Sequence, residues 1–449
     1  MPRDTRTLLG PGAAKCDSRS LYLDRFADPG AKDSGDLHPR RDWFNTLHGK
    51  TAPSSATGGG REWLTQVAAN GRGGIIFAQL QSRLLVNMVG GVMENAGLCL
   101  DRFGLPFIPG SAVKGCARRM AIQDLLERSQ SNRSSEELAT LLNDIALVFG
   151  WGNSDWKPGR QRRRQRGEWI ETEPFSDFWW ALADDSGGRS ADSQRHSRWP
   201  EVAEKAAAKL FKKLHAKPRE LDKLLAPQLP SFAGSLSFLP AYSIKTGANA
   251  LPLAEPELGA LELDVVTCHH CDYYASDDPS ERAEDTEEPV PVVFPTIAAG
   301  HVFIFAMLPL RDSSRELLSQ ARTWLSGGLG TFGLGAKTGA GYGWFDTGDK
   351  VQTVVLGSLQ RASVKPSHVL LGEFLKWDDR QLRKAAAAFA FAALVPKAGR
   401  EATIEYRLTL AKFILENRTA LFLREKNHAG SDFARGVKRL AQEFQILLP

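Results

Sequence analysis

Apolar positions in this chain change period several times, and each change marks an element. Gly74 to Val89 is apolar and partly alternating: Ile76, Ala78 and Leu80 are set against Gln79, Gln81 and Arg83. It reads as a first strand. A glycine-bearing loop from Asn87 to Asp101 follows, with one acid, Glu94. Helical spacing then predicts helices over Ala112–Glu127 and Ser134–Phe149. A third helix is expected from Glu201 to about His215, with Val202, Ala206, Leu210 and Leu214 on one side and Lys205, Lys209 and Lys212 on the other. Gly234–Leu239 and Leu258–Thr267 read as strands. Ala275–Glu288 is an acidic loop, and Val290–Leu308 reads as two strands turning at Ala299-Gly300. Glu316–Gly327 is a helix running into a glycine-rich loop, and Trp344–Leu356 returns as strand or loop.

The same pattern divides the chain. Residues 1–74 are rich in Gly, Pro, Ser, Asp and Arg and read as a loop-rich extension, with weak periodicity only over 62–69. Residues 75–356 hold the mixed core, interrupted by an insertion over 151–231 that opens on Arg160-Gln-Arg-Arg-Arg-Gln-Arg166. After Pro366 the pattern is helical throughout, so 357–449 reads as a helical appendage whose charges form solvated faces.

Composition narrows this a little. At 449 residues and 42% hydrophobic content there is enough apolar surface for real cores, and a net charge of +5 is compatible with a polyanionic partner without demanding one. Met1 to Cys16 has no apolar stretch of signal-peptide type. The longest near-apolar run, Ala385–Val395, falls short of the roughly 20 residues a bilayer span needs and is expected to be a buried Ala-rich helix. Five cysteines form no even framework, which fits a reducing, cytoplasmic setting with no membrane contact.

Two segments carry candidate chemistry. Gly104-Leu-Pro-Phe-Ile-Pro-Gly-Ser-Ala-Val-Lys-Gly115 reads as strand end, turn and helix start. Ser111 can cap that helix, and Lys114 and Arg118 fall one turn apart, making an anion site of a helix N-terminus with adjacent cations. Gly330 to Gly343 places six glycines around Lys337 and Tyr342, a backbone able to approach a polyanion closely. Phe332 and Tyr342 could stack on bases or belong to the core. The Arg160–Arg166 run, with Arg162, Arg163 and Arg164 at its centre, could bind RNA or an acidic neighbour, or simply be solvated.

Other chemistries fit less well. Ala336 intervenes before Lys337-Thr338, and the helix–loop–strand order is the reverse of a P-loop, so ATP binding is rejected. Ser111-x-x-Lys114 and Lys337-Thr-Gly339 match two of the three marks of penicillin-reactive serine enzymes, but the Ser-Asp-Asn is missing. Cys268-His269-His270-Cys271 is a lone pair of cysteines with no second pair at finger spacing, and buried thiols are the plainer reading, so no metal or other cofactor is expected. For RNA cleavage, the loop after the first strand offers only Glu94, with Asp101 later. His269, His270 and His301 are acid–base candidates by identity alone.

Taken with Leu263–Tyr274 and Pro289–Phe294, the two glycine-bearing segments resemble the RAMP superfamily of CRISPR effector backbones. Within it they look most like the sixth RAMP subunit of type III-B (Cmr) modules. The resemblance covers roughly 75–356, and Cys268 and Cys271 depart from it, standing where the usual pattern has Pro-like residues. It implies an α+β fold, a modified ferredoxin-like (RRM-like) sheet with helices on one face and a projecting thumb. It further implies a non-catalytic subunit that holds guide (crRNA) and target RNA by sugar and phosphate among other type III effector subunits. The residues expected to contact RNA are Ser111, Lys114, Arg118, Gly333, Gly335, Lys337, Gly339, Gly341 and Tyr342, with Arg162, Arg163 and Arg164. The alternative is a RAMP-fold endoribonuclease that processes guide precursor with a histidine.

Overall fold

The computed structural model describes residues 16–26, 39–50, 63–64, 74–87, 98–131, 133–152, 163–165, 168–170, 177–182, 198–213, 232–248, 250–278, 289–310, 315–363, 367–396, 403–428, 430–444 and 446–449, with a few isolated residues besides. They divide into two compact units. One comprises Met1–Leu64, Gly71–Lys245 and Pro252–Gln352; the other comprises Thr65–Asn70, Thr246–Leu251 and Thr353–Pro449.

In the first unit the N-terminal segment supplies α1 (Arg19–Asp24) and α2 (Pro39–Gly49). Their short lengths escape a periodicity search, but both are anchored. The Tyr22 and Trp43 rings stack at 4.6 Å, and the buried Arg19 guanidinium donates to the Gly259 carbonyl at 2.6 Å. Next come β1 (Gly74–Leu80), β2 (Phe107–Ile108), α3 (Gly110–Gln130) and α4 (Ser135–Phe149). Ser134 opens α4 with a capping box closed by Glu137, which explains why that boundary is legible in the sequence. The insertion contributes β3 (Gly150–Trp151), the hairpin β4 (Arg163–Gln165) and β5 (Glu168–Ile170), α5 (Asp177–Ala181) and α6 (Trp199–Lys213). His215 and Leu214 lie outside the described residues, as does most of 62–69.

The strands β6 (Phe232–Ala233), β7 (Leu236–Phe238) and β8 (Ala241–Ile244) precede β9 (Leu261–Cys268), α7 (Cys271–Ala275), β10 (Val290–Ile297), β11 (Val302–Pro309), α8 (Arg315–Thr331) and β12 (Phe345–Asp346). The main sheet is antiparallel in the order β12-β1-β11-β8-β2, with β7 also on β11. Its central strand is buried from Val302 to Met307, which is why it reads as a continuous apolar run rather than an alternation. β9 and β10 form a separate two-stranded ribbon in register from Leu261↔Ile297 to Cys268↔Val290.

Three expectations need correction here. β1 ends at Leu80 rather than near Val89, and Gln79 is buried: its amide donates to the Leu253 and Gly300 carbonyls and accepts from the Leu253 amide. A fully bonded buried amide imitates a solvent-facing one in sequence. Trp344–Leu356 is not an extended return but β12 followed by α9 (Asp349–Ser363).

The second unit holds α10 (His368–Phe374), α11 (Asp379–Ala387), α12 (Ile404–Asn417), α13 (Thr419–Glu425) and α14 (Asp432–Phe444) around Phe374, Phe389, Tyr406, Phe413 and Phe422. The run Ala385–Val395 is the third correction. α11 stops at Ala387 and a short 3-10 turn follows at Ala392–Leu394, with Phe389 buried but Phe391, Ala392 and Ala393 exposed, so the run is neither one helix nor buried throughout. Among the described residues no helix is long and apolar enough to cross a membrane.

Candidate nucleic-acid interface

The helix-start motif begins one residue earlier than its Ser suggests. Pro109 occupies the N-cap with no side-chain hydrogen bond, and its carbonyl accepts from the Ala112 and Val113 amides at 3.0 and 3.1 Å. A Cβ on Gly110 would lie 2.3 Å from the Phe238 carbonyl, so the backbone meets β7 closely there and the helix starts at that contact. Ser111 is therefore an exposed first-turn residue and not the cap. The Gly110 and Ser111 amides have no acceptor among the described residues.

Lys114 follows on the same face, half-buried and without an acid partner among the described residues. Burial and the neighbouring Arg118 charge lower its pKa from the usual lysine value. Arg118 is in a different situation. It donates to Asp177 at 2.8 Å and Asp155 at 3.2 Å and lies 4.8 Å over the Phe178 ring, tying the insertion to α3. The sequence could not reveal this pairing, since both acids come from distant segments.

The glycine loop is pinned rather than loose. The Ala336 amide donates to the Leu85 carbonyl, Gly343 to Arg83, and Leu334 to Gly343, each at 2.8 Å, while the Trp344 indole donates to the Thr338 carbonyl at 3.1 Å. The glycines fall into two classes. A Cβ on Gly335 would stand 2.2 Å from the Leu85 carbonyl, and one on Gly333 would stand 2.9 Å from the Gly343 carbonyl. Around Gly339 and Gly341 there is open space. Lys337 sits in the left-handed region at φ 58°, with its ammonium 5.6 Å from the Phe294 ring and no acid partner among the described residues. The amides of Lys337, Thr338 and Gly339 have no acceptor among the described residues. Three successive amides without an acceptor, beside a cation, are the kind of donor set from which backbone anion sites are built.

The two motifs meet. The Cys116 thiol, pushed up to about 12 by burial, points at the Gly333 carbonyl (3.7 Å), and Gly328 of α8 backs onto the Cys116 carbonyl so closely that a Cβ would be 2.8 Å away. Arg119 lies 4.1 Å over the Phe332 ring, a bridge between the motifs that the sequence reading missed; Phe332 is thereby already covered on that side by a cation. Tyr342 is likewise engaged. Its hydroxyl donates to Asp264 at 2.5 Å, and burial together with that bond raises its pKa. Burial works against the Asp264 charge, yet bonds from Tyr342, the Val265 amide and Arg83 bring its pKa below the usual carboxylate value. Arg83 donates to both Glu262 and Asp264 at 2.7 Å, and Ser82, Arg83, Ala340, Gly341 and Tyr342 border an open groove of about 410 Å³.

The motif-bearing core is recognisable beyond its geometry: residues 54–346 match the RAMP superfamily model. The chain belongs to the RAMP superfamily. The match ends on β12, so α10–α14 lie outside it. Among characterised proteins the chain is 25% identical over 267 residues to the CRISPR system Cmr subunit Cmr6 of Pyrococcus furiosus, a match covering 59% of this chain and 64% of that relative. Among solved structures it is similar to a chain of the type III-B Cmr-beta complex bound to cognate target RNA (16% identity, 77% of this chain and 73% of that one, TM-score 0.30). It is also similar to the crystal structure of Cmr6 from Pyrococcus furiosus (22%, 61% and 97%, TM-score 0.28).

Against this RAMP frame the remaining candidates separate. His301 is 2% exposed, its Nδ1 on the Ala298 carbonyl at 2.7 Å and its Nε2 accepting from the Gly259 amide at 3.1 Å; both ring nitrogens are occupied structurally. Asp101 accepts from the Phe103 and Leu105 amides and closes a turn. His269 and His270 stand just past β9, where His270 opens α7 in the left-handed region. Arg163 and Arg164 lie on β4, and Arg162 and Glu94 fall outside the described residues, as do the side chains of Cys268 and Cys271.

Proposed function

We propose that this RAMP protein is a non-catalytic RNA-binding backbone subunit of a type III-B-like CRISPR ribonucleoprotein in antiviral defence, holding the 3′-distal part of a guide RNA and the guide–target duplex by sugar and phosphate. The similarity to Cmr6 supports the assignment to such a complex, with other type III subunits as partners. The strand order supports a ferredoxin-like core: β1, β8, β11 and β12 lie in the spatial order fourth-first-third-second, with α3 and α8 as the two crossovers.

One observation carries the RNA reading. Lys114 and Lys337, both without an acid partner among the described residues, stand on the two motifs that meet at Cys116 and Gly333, and the Lys337, Thr338 and Gly339 amides have no acceptor among the described residues. Backbone amides and lysines hold phosphate without reading bases, as a subunit serving any guide sequence must. Ser111 and the remaining donors of Arg118 extend this surface, and Gly333, Gly335, Gly341 and Tyr342 shape it. Arg162, Arg163 and Arg164 add cations from the insertion. The seating of His301 removes one of the three histidines a histidine-dependent nuclease could use.

The test is RNA binding by the purified protein across a salt series. Lys114→Glu with Lys337→Glu is expected to weaken binding at least tenfold and to lower the salt slope by about 2. An unchanged slope, or metal-free cleavage of repeat RNA by the wild type, overturns the proposal.

A further inference from the structure

The C-terminal helical unit, outside the RAMP match, carries the chain's positive charge. Residues 353–449 hold 16 Lys and Arg against 9 Asp and Glu, a net of +7, which leaves −2 for residues 1–352 of a chain whose total is +5. Within the unit four acids are already taken: Glu425 by Arg383, Glu443 by Arg407, Asp379 by Arg424 and Asp432 by Arg435. Lys376, Arg380, Lys384 and Arg439 remain exposed without an acid partner among the described residues. A helical unit of this size needs no such excess to fold, and self-repulsion makes it a cost.

The same unit contains a pocket of about 630 Å³. Phe389, Val354 and Leu440 line it with apolar surface, and Arg407, Arg439 and Gln442 line it with polar groups. The Arg407 Nε is buried there with no hydrogen-bond partner among the described residues, although the other end of that guanidinium holds Glu443. Glu443 lines the pocket too. An acidic side chain offers only acceptors and would meet that carboxylate. A nucleobase offers donors and acceptors on one edge and an apolar face, which matches the combination of arginine, glutamine, carboxylate and apolar floor.

We infer that the C-terminal helical unit is a second, independent RNA-binding element, taking an unstacked base of a single strand in the Phe389–Arg439 pocket with its phosphates along Arg439 and the α11 cations. The inference does not rest on the interface of the core.

The test uses the full chain, a labelled oligouridine RNA and polyglutamate as the competing polyanion. Arg439→Glu, an exposed change, is expected to lower RNA affinity about fivefold and the salt slope by about 1. Arg380→Glu with Lys384→Glu should do the same from outside the pocket. A 4-thiouridine RNA should crosslink within residues 389–395 or 439–443. Unchanged affinity and slope in both variants, crosslinks confined to the glycine loop, or polyglutamate binding that is equally sensitive to Arg439→Glu would each overturn it. Loss in these variants with Lys337→Glu unaffected would instead count against the core interface alone, and the converse against this inference alone.

Discussion

At the residue scale, the glycine loop shows that one residue type serves two unrelated ends. Gly335 stands at φ +100° with a neighbouring carbonyl where its side chain would be, so the fold requires it; nothing near Gly339 does. The expected consequence is a clean separation. Gly335→Ala should destabilise the protein by about 2–4 kcal/mol, through left-handed strain and overpacking against Leu85. Gly339→Val should leave the melting temperature nearly unchanged while weakening RNA binding roughly tenfold, the loss of about one charge-assisted hydrogen bond. Thermal melts and binding isotherms on the two variants check it. Equal losses of affinity at equal stability would show that the two glycines have the same role.

At the element scale, the decisive contact is the crossing of α3 and α8, because it fixes where the two motifs stand relative to one another. Gly327 and Gly328 lie inside α8, where glycine costs about 1 kcal/mol relative to alanine in helix propensity. Gly328 is there because Cys116 needs the space. Gly328→Ala is therefore expected to cost about 1–3 kcal/mol net in a urea melt despite the better propensity, and to weaken RNA binding by displacing Lys114 from the loop. A stabilised variant with unaltered binding would refute that role.

Much at this scale was legible. The helices α4, α6 and α8 and the strands β10 and β11 follow from the apolar pattern, since long amphipathic elements announce themselves, while α3 follows from the Pro-Gly turn that opens it. What was hidden depends on distant partners. Arg118 reads as a free cation until Asp155 and Asp177 are placed beside it, Gln79 reads as solvent-facing until Leu253 and Gly300 are, and Ser111 reads as a cap until Gly110 is pressed on β7. Lys114 and Lys337 have no acid partner among the described residues, so no distant residue alters how they read as cations in the sequence.

At the scale of the whole molecule, the buried His301 makes stability depend on pH. Burial is the largest influence on His301 and lowers its pKa from 6.5, ahead of the opposing Ala298 carbonyl and Glu255 charge, the unfavourable Lys245 charge and the Glu257 carbonyl. The folded chain thus holds His301 neutral where the unfolded chain would already bind a proton. Below about pH 6.5 the unfolded state gains protons that the folded state refuses, so stability falls with pH until the folded-state pKa is reached, and is regained on returning above 6.5. The unit containing His301 is expected to show a lower urea midpoint near pH 5.5 than near pH 7.5. His301→Gln, which can still donate to Ala298 and accept from Gly259 but does not titrate, should reduce that difference. Were the variant to retain the full pH dependence, the proton would have to be taken up elsewhere, and His301 would be an ordinary core residue with no part in acid sensitivity.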